Sequence, residues 1–581
     1  MRPWWEAFEG RLDTELRQFE QLAQSHELTS GPDQGQIIVR ACFASRQGEV
    51  DLVVLYPDSF PFLRPLVLAP ELRLGHHQNP FGKNLCLLDR DTRQWHPQSD
   101  SAASHIADQL EKLFIAVEGT AEERAAVETP QAEPLSAFVV NEPGAVVFVP
   151  EAALAIDPGE SRGELRLVRL LGAGAAGPLR AILAEVATKP PRGPKRRLAR
   201  ADDELRSITG GETIVGRWLR VDLRPDNAPG EASGEAFVDY ARDVDAEWTG
   251  PQYQNLGGRE LAVLGLVYGE EVDGRDREDA WLFVVRVRGP MPPGGRVGTK
   301  SYLVKGQRLS RGDMAARIPA LAGLGEKRVA LVGLGALGAP LALDLARAQV
   351  GELRLLDWDM VEVGNSVRWP LGLSAVGHAK TDSLAGFLRA NYPLTRLRVD
   401  NHQIGMPTTE GRSEREILTE LLHNADLLIS VTAEYGIDHL FTYLASEARL
   451  PQVYAWGTPG YWGGGVARVL PGQTGCWFCL KRWHEEGVIP TPPSDPAELV
   501  QPPGCAAPTA TGTSFDLAPV AAQATRVAAQ TLVGGGYPSA DGDVMILSLR
   551  TEEGPLATPN WATFPLERHA DCPYCRSLEG E

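Results

Sequence analysis

The chain has 581 residues, more than one hydrophobic core organises, so roughly two to four domains are expected. Its 57 basic residues against 76 acidic ones leave a net charge of −19, which excludes a general nucleic-acid binder with its basic face. Hydrophobic residues at 43% and charged residues at 23% exclude disorder and a coiled coil, and no apolar run reaches the ~20 residues of a membrane span.

The start, MRPWWEAFEG, lacks the form of a secretory signal, so the expectation is a cytoplasmic protein with neither membrane nor nucleic acid among its partners. Trp4, Trp5, Phe8, Leu12, Leu16 and Phe19 recur in steps of three and four, which predicts one helix with a single apolar face. Strand-like runs follow at Ile37–Phe43 and Val50–Tyr56, then a proline-punctuated stretch to Pro65. Cys42 falls in the first of these runs, as a small buried hydrophobe. A compact α+β domain over residues 1–130 is the reading, with Cys86 in its loops.

Residues 135–308 form a β-rich central region of unassigned role. Ala145–Val149, Leu165–Leu171, Trp218–Leu223 and Trp281–Val287 are its predicted strands. The basic run Lys189–Arg197 reads as a solvated linker that could also meet a phosphate or an acidic partner.

Residues 309–581 alternate strands and helices. The strand Val329–Val332 runs into Gly333, Gly335 and Gly338 and an Ala/Leu-rich helix, and a second strand, Glu352–Leu356, ends at Asp357. Further strands at Ala425–Val431 and Gln452–Ala455 predict a mostly parallel sheet. Glycines in this order let the backbone turn tightly and approach a phosphate, which then meets the free N–H groups of the helix N-terminus. Asp357 has the place of an acid that binds ribose hydroxyls.

Asp357-Trp358-Asp359-Met360-Val361-Glu362, then Asn365, Arg368 and Gly377-His378-Ala379-Lys380, resembles the ThiF/MoeB/ubiquitin-activating adenylating family. The resemblance implies that Asn365, Arg368 and Lys380 hold the triphosphate of ATP while a carboxylate attacks its α-phosphorus. Asp359 then serves Mg²⁺ or adenosine. The family's magnesium aspartate has no exact counterpart, and Glu434 stands nearest its place as a hard oxygen ligand. Arg311 and Arg317, just upstream, are either a phosphate contact or helix-surface arginines.

Seven cysteines do not make a disulfide framework in so long a chain. Cys476 and Cys479 with Cys572 and Cys575 form two C-x-x-C pairs, which suit a four-thiolate structural zinc site; His569 is surplus to it. Cys505 follows a proline-rich run and precedes the predicted helix Leu517–Leu532. In the activating enzymes it resembles, a cysteine on such a segment takes the acyl group as a thioester.

Tyr56-Pro57 with Pro65, then His76-His77-Gln78-Asn79-Pro80, Gly82-Lys83-Asn84-Leu85-Cys86-Leu87 and Trp95-His96-Pro97, resemble ubiquitin-conjugating enzymes over about the first 120 residues. The resemblance implies that Cys86 is the thioester acceptor and Asn79 the amide that stabilises the oxyanion, with Asn84 a second candidate. Gln78 departs from the family's His-Pro-Asn, and His77 and His96 read as structural or surface residues.

The implied fold is multidomain: an N-terminal α+β conjugating-like domain, a β-rich centre and a C-terminal α/β Rossmann-like adenylating domain with structural zinc. The whole is similar to the bacterial conjugating–activating fusion enzymes of ubiquitin-like and antiviral-defence operons, including those beside cGAS-like nucleotidyltransferases. That similarity implies ATP, Mg²⁺ and Zn²⁺ as cofactors and a homodimer. It implies as partners a ubiquitin-like protein or a tailed protein, such as a cGAS-like nucleotidyltransferase, and a target lysine. The acyl group would pass from the adenylate to Cys505, to Cys86 and to the lysine. Rival readings are an adenylyltransferase that feeds sulfur transfer, in which Cys86 is dispensable, and a nucleotide-gated scaffold. A dehydrogenase has no use for Asn365, Arg368 and Lys380.

Overall fold

The computed structural model describes residues 2–87, 95–127, 131–172, 177–188, 195–256, 259–273, 276–290, 297–406, 411–432, 434–495, 497–501, 509–537, 542–551 and 554–577. The chain forms two compact units, Met1–Asp202 with Thr209–Leu309, and Asp203–Ile208 with Ser310–Glu581.

In the first unit, the predicted opening helix is two: Trp4–Ala7 and Arg11–Leu22. Gly10 separates them at φ 74°, a left-handed conformation that glycine adopts without a Cβ penalty. An antiparallel meander follows, Ser25–Ser30, Ile38–Ser45, Gly48–Leu55 and Leu66–Leu68, in that spatial order. The first of these strands, SHELTS, is almost wholly exposed, so it carries no apolar alternation. The helix Ala102–Glu118, capped by Ser101 Oγ accepting from the Ser104 N–H, lays Ile106, Leu110, Leu113 and Phe114 on the meander's Val39, Leu52 and Val54.

The rest of this unit is a mixed nine-stranded sheet. Its long strand Asp276–Pro290 is buried on both faces: Trp281, Phe283 and Val285 enter one core, Leu282 and Val284 the other. Of the predicted basic linker, Lys195, Arg196 and Arg197 are described, and they pair with Glu164, Glu160 and Glu185 of the same unit.

The second unit is an eight-stranded sheet. Arg396–Asp400, Glu352–Leu356, Arg328–Val332, Leu427–Ser430 and Gln452–Gly457 run parallel, and Gly463–Val469, Val544–Thr551 and Gly554–Phe564 continue it antiparallel. Strand order reverses about Arg328–Val332, which has Glu352–Leu356 on one side and Leu427–Ser430 on the other. In such a sheet the crevice beyond the strands' carboxyl ends at this reversal is the ligand site. The helix Ser514–Val533 covers one face with Leu517, Val520, Ala524 and Val527. Among the described residues no helix is long and apolar enough to cross a membrane.

Candidate functional site

At the reversal point, Gly333 sits at φ 85°, and a Cβ there would lie 2.8 Å from the Val431 carbonyl oxygen. A Cβ on Gly338 would lie 1.8 Å from the Gly333 carbonyl oxygen, so both positions need glycine for the strand to enter the helix Gly338–Arg347. Gly335 between them has open space on its outer side. Asp357 holds the loop from the next strand: its carboxylate accepts from Leu334 N–H at 2.5 Å and Asp359 N–H at 2.8 Å.

Two clefts open from this loop. The smaller, about 180 Å³, is lined by Gly333, Gly335, Asp357, Asp359, Lys380 and Glu434 among others. The larger, about 350 Å³, is lined by Gly335, Asn365, Arg368, Lys380, Tyr461 and Ala510 among others. Lys380 borders both, buried as the first residue of the helix Lys380–Asn391 and ion-paired with Asp359. Asn365 uses its carboxamide oxygen to accept from Glu362 N–H at 3.0 Å, which leaves its NH₂ as the donor. Arg368 donates to Tyr461 Oη at 3.0 Å and to the Ala510 carbonyl at 2.7 Å. Arg311 donates instead to the Leu394 carbonyl, and neither it nor Arg317 is among the residues lining these two clefts.

Cys505 lies outside the described residues. Its flanks do not: Leu499 and Val500 pair with Ala510 and Thr509, and Leu499 and Ala510 line the larger cleft.

The four zinc-candidate cysteines converge. Their sulfurs all lie within 4.8 Å of one another and are buried, with Cys476 3.4 Å from Cys572 and Cys479 3.6 Å from Cys575. Thiolates bound at ~2.3 Å to one tetrahedral ion need this spacing. Backbone N–H groups of His569 and Cys575 donate to Cys479 and Cys572 sulfurs, as they do around a bound thiolate. His569 itself turns to Glu486 at 2.9 Å. The set therefore fits a closed structural zinc site. Cys479→Ser is expected to halve the thiolate pairing on its knuckle, release the metal and lower Tm by on the order of 5–10 °C, read by calorimetry. An unchanged Tm with retained zinc contradicts this assignment.

In the first unit, Cys86 is exposed on the wall of a cleft of about 410 Å³, whose other walls include Asn79, Asn84, His105, Glu133 and Phe138. Its N–H donates to the His77 carbonyl at 2.7 Å. Asn79 lines the same cleft, with its carboxamide oxygen accepting from Phe81 and Gly82 N–H groups at 2.9 Å each. Gln78 is buried, its amide bridging Leu74 N–H and the Ala69 carbonyl. Those two hydrogen bonds explain a glutamine at this place: it closes the turn from inside.

The ThiF family pattern matches residues 314–537. Over nearly its whole length the chain is 32% identical to the uncharacterized protein y4oA of Sinorhizobium fredii, across 99% of this chain and 98% of that one. A second protein of the same organism, y4qC, is 31% identical across 91% of this chain and 89% of its own. The chain belongs to the family of these two proteins, and its second unit is a ThiF/MoeB-like domain. A shorter match, 28% identical over 28% of this chain and 57% of the relative, is to the SAMP-activating enzyme E1 of Haloferax volcanii.

Within the ThiF-matched region, one residue with no motif to mark it stands out. Asp438, in the helix Tyr435–Glu447, is buried and accepts from Ser430 Oγ at 2.7 Å at the end of the strand Leu427–Ser430. Burial pushes its carboxyl up to about 6, against the hydrogen bonds of Ser430 and Thr432 and the charge of Lys481. Glu434, exposed at the N-cap of this helix, adds to the rise. A Ser–x₇–Asp spacing across a strand end and one helical turn is the only trace Asp438 leaves in the sequence. Because its folded value is raised, its contribution to stability is present at pH 4 and lost as pH rises through about 6. Asp438→Asn is therefore expected to gain about 2–3 kcal/mol over wild type at pH 8 and little at pH 4, read by denaturant melts at both. Equal differences at the two pH values contradict the assignment.

Proposed function

We propose that the second unit adenylates the C-terminal carboxylate of a ubiquitin-like protein, or of a protein with an extended tail, and that the acyl group passes through Cys505 and Cys86 to a lysine. The observation that supports this most is the pair of clefts joined at Lys380. One offers Asp357 and the glycine loop to a nucleotide, and the other offers Asn365 and Arg368 to the phosphates and the incoming carboxylate. The ends of the segment that carries Cys505 stand at the same larger cleft.

In this reading a carboxylate oxygen attacks the α-phosphorus, the bond to the β-phosphate breaks and pyrophosphate leaves. Lys380, Arg368 and Asn365 hold the charge that grows on the phosphoryl oxygens. Magnesium bound by Asp359 and Glu434 would neutralise further phosphate charge. The Cys505 thiolate then attacks the acyl carbon and AMP departs. The Cys86 thiolate displaces that of Cys505, and a lysine amine displaces Cys86 to form the isopeptide, each thioester keeping the acyl group activated. Asn79 serves the last step through its amide NH₂.

The division 1–130, 135–308 and 309–581 assigns the transfer step to the N-terminal part and activation to the C-terminal part. The resemblance of the whole chain to conjugating–activating fusions is what supports a cytoplasmic homodimer in a bacterial defence setting, with a cGAS-like nucleotidyltransferase as one recipient. ATP–pyrophosphate exchange tests the activation step. Exchange is expected with a ubiquitin-like protein bearing a free C-terminus and absent with the same protein amidated there. Equal exchange with both overturns the reading.

A further inference from the structure

We propose a second metal site in the first unit, formed by His76, His77 and Glu133 behind the Cys86 loop, that takes a divalent transition metal of the zinc type. The candidate ligand atoms of these three residues all lie within 4.8 Å of one another. His77 is fully buried, His76 is 6% exposed and the Glu133 side chain 11%. Glu133 meets His77 twice, through the imidazole Nδ1 at 2.7 Å and the backbone N–H at 2.5 Å.

Two further features separate this cluster from an ordinary buried ion pair. His76 Nε2 lies 2.9 Å from Glu271, on the strand Arg259–Asp273. A histidine with one ring nitrogen held by a carboxylate has its tautomer and ring orientation set, and the other nitrogen is offered as a ligand. Glu133 N–H in turn donates to Glu271 at 3.3 Å, so the second carboxylate supports two members of the triad. Arg277 at 3.7 Å shares the Glu271 charge, but with neutral imidazoles the Glu133 carboxylate still brings a negative charge into a buried seam, a cost that a divalent cation offsets. Two imidazoles and one carboxylate are a known donor set for zinc with an open fourth position.

The site's position gives it a task. His77 has φ 61°, a left-handed conformation that is strained for a non-glycine residue and persists only where the surroundings hold it. Its carbonyl is the acceptor for the Cys86 N–H at 2.7 Å. A metal on the His77 ring would hold this backbone, and hence the Cys86 loop, in one place. His76, His77 and Glu133 are positioning residues in this account.

Metal analysis of the purified full chain, dialysed against zinc and then against buffer, tests the proposal. Two zinc ions per chain are expected, falling to one in Glu133→Gln and in His76→Gln, and to one, from the other site, in Cys479→Ser. Glu271→Gln is expected to weaken the second ion 10- to 100-fold without removing a ligand. One zinc per chain in wild type, unchanged by Glu133→Gln, overturns the proposal. Should the variants misfold, Co²⁺ titration of the wild-type chain with its cysteine site already zinc-loaded decides it. A second equivalent with weak d–d bands and no thiolate charge-transfer band supports the site, and absence of a second equivalent overturns it.

Discussion

Lys380→Ala is expected to lower ATP–pyrophosphate exchange by about 10²- to 10³-fold, the loss that follows removal of one preorganised donor from a developing phosphoryl charge. The lysine is placed for this by backbone and side chain together. Its N–H donates to the Asp359 carbonyl at 3.0 Å, it opens a helix, and its ammonium borders both clefts. In a site 8% exposed to water, its charge acts at lower dielectric than a surface lysine's. The fold is expected to survive the change, because Asp359, its ion-pair partner, is 44% exposed and rehydrates. The fall should therefore appear in kcat at unchanged Tm. Exchange within twofold of wild type contradicts the role given to Lys380.

Cys86→Ala is expected to abolish transfer to lysine, by at least about 10⁴-fold, with pyrophosphate exchange retained. The thiol is exposed beside a cleft of about 410 Å³, its backbone is held by His77, and Asn79 faces the same space. Cys86→Ser is the informative companion. A serine hydroxyl in the same place should accept the acyl group from Cys505 and hold it as an oxyester that hydroxide cleaves and thiols do not. Full isopeptide formation in Cys86→Ala would move the transfer step elsewhere and favour sulfur transfer as the chain's chemistry.

Much of the second unit was legible in the sequence because its signals are backbone rules. Gly333 and Gly338 announce a turn that no side chain could occupy, and the strand Glu352–Leu356 ends at Asp357 as the motif spacing requires. The cysteine pairs met because four buried thiols with knuckle spacing have few other uses. Other parts were hidden for physical reasons. The strand Arg259–Asp273 is buried on both faces, so its apolar run carries no alternation that separates strand from buried helix, whereas its partner Asp276–Pro290 was legible over Trp281–Val287. The opening helix breaks at Gly10 without disturbing the apolar spacing on either side. His76, Glu133 and Glu271 come from three separate segments, and Asp438 is marked by burial alone, so only folding brings each to its partners.

On the proposed reading, one chain both activates a carboxylate and carries it as a thioester. The most direct measurement is non-reducing electrophoresis after incubation with ATP, Mg²⁺ and a ubiquitin-like protein, with wild type, Cys86→Ala and Cys505→Ala in parallel. A thiol-sensitive adduct is expected in wild type, an adduct held at Cys505 in Cys86→Ala, and none in Cys505→Ala. Adenylate formation with no thiol-sensitive adduct in any of the three contradicts it.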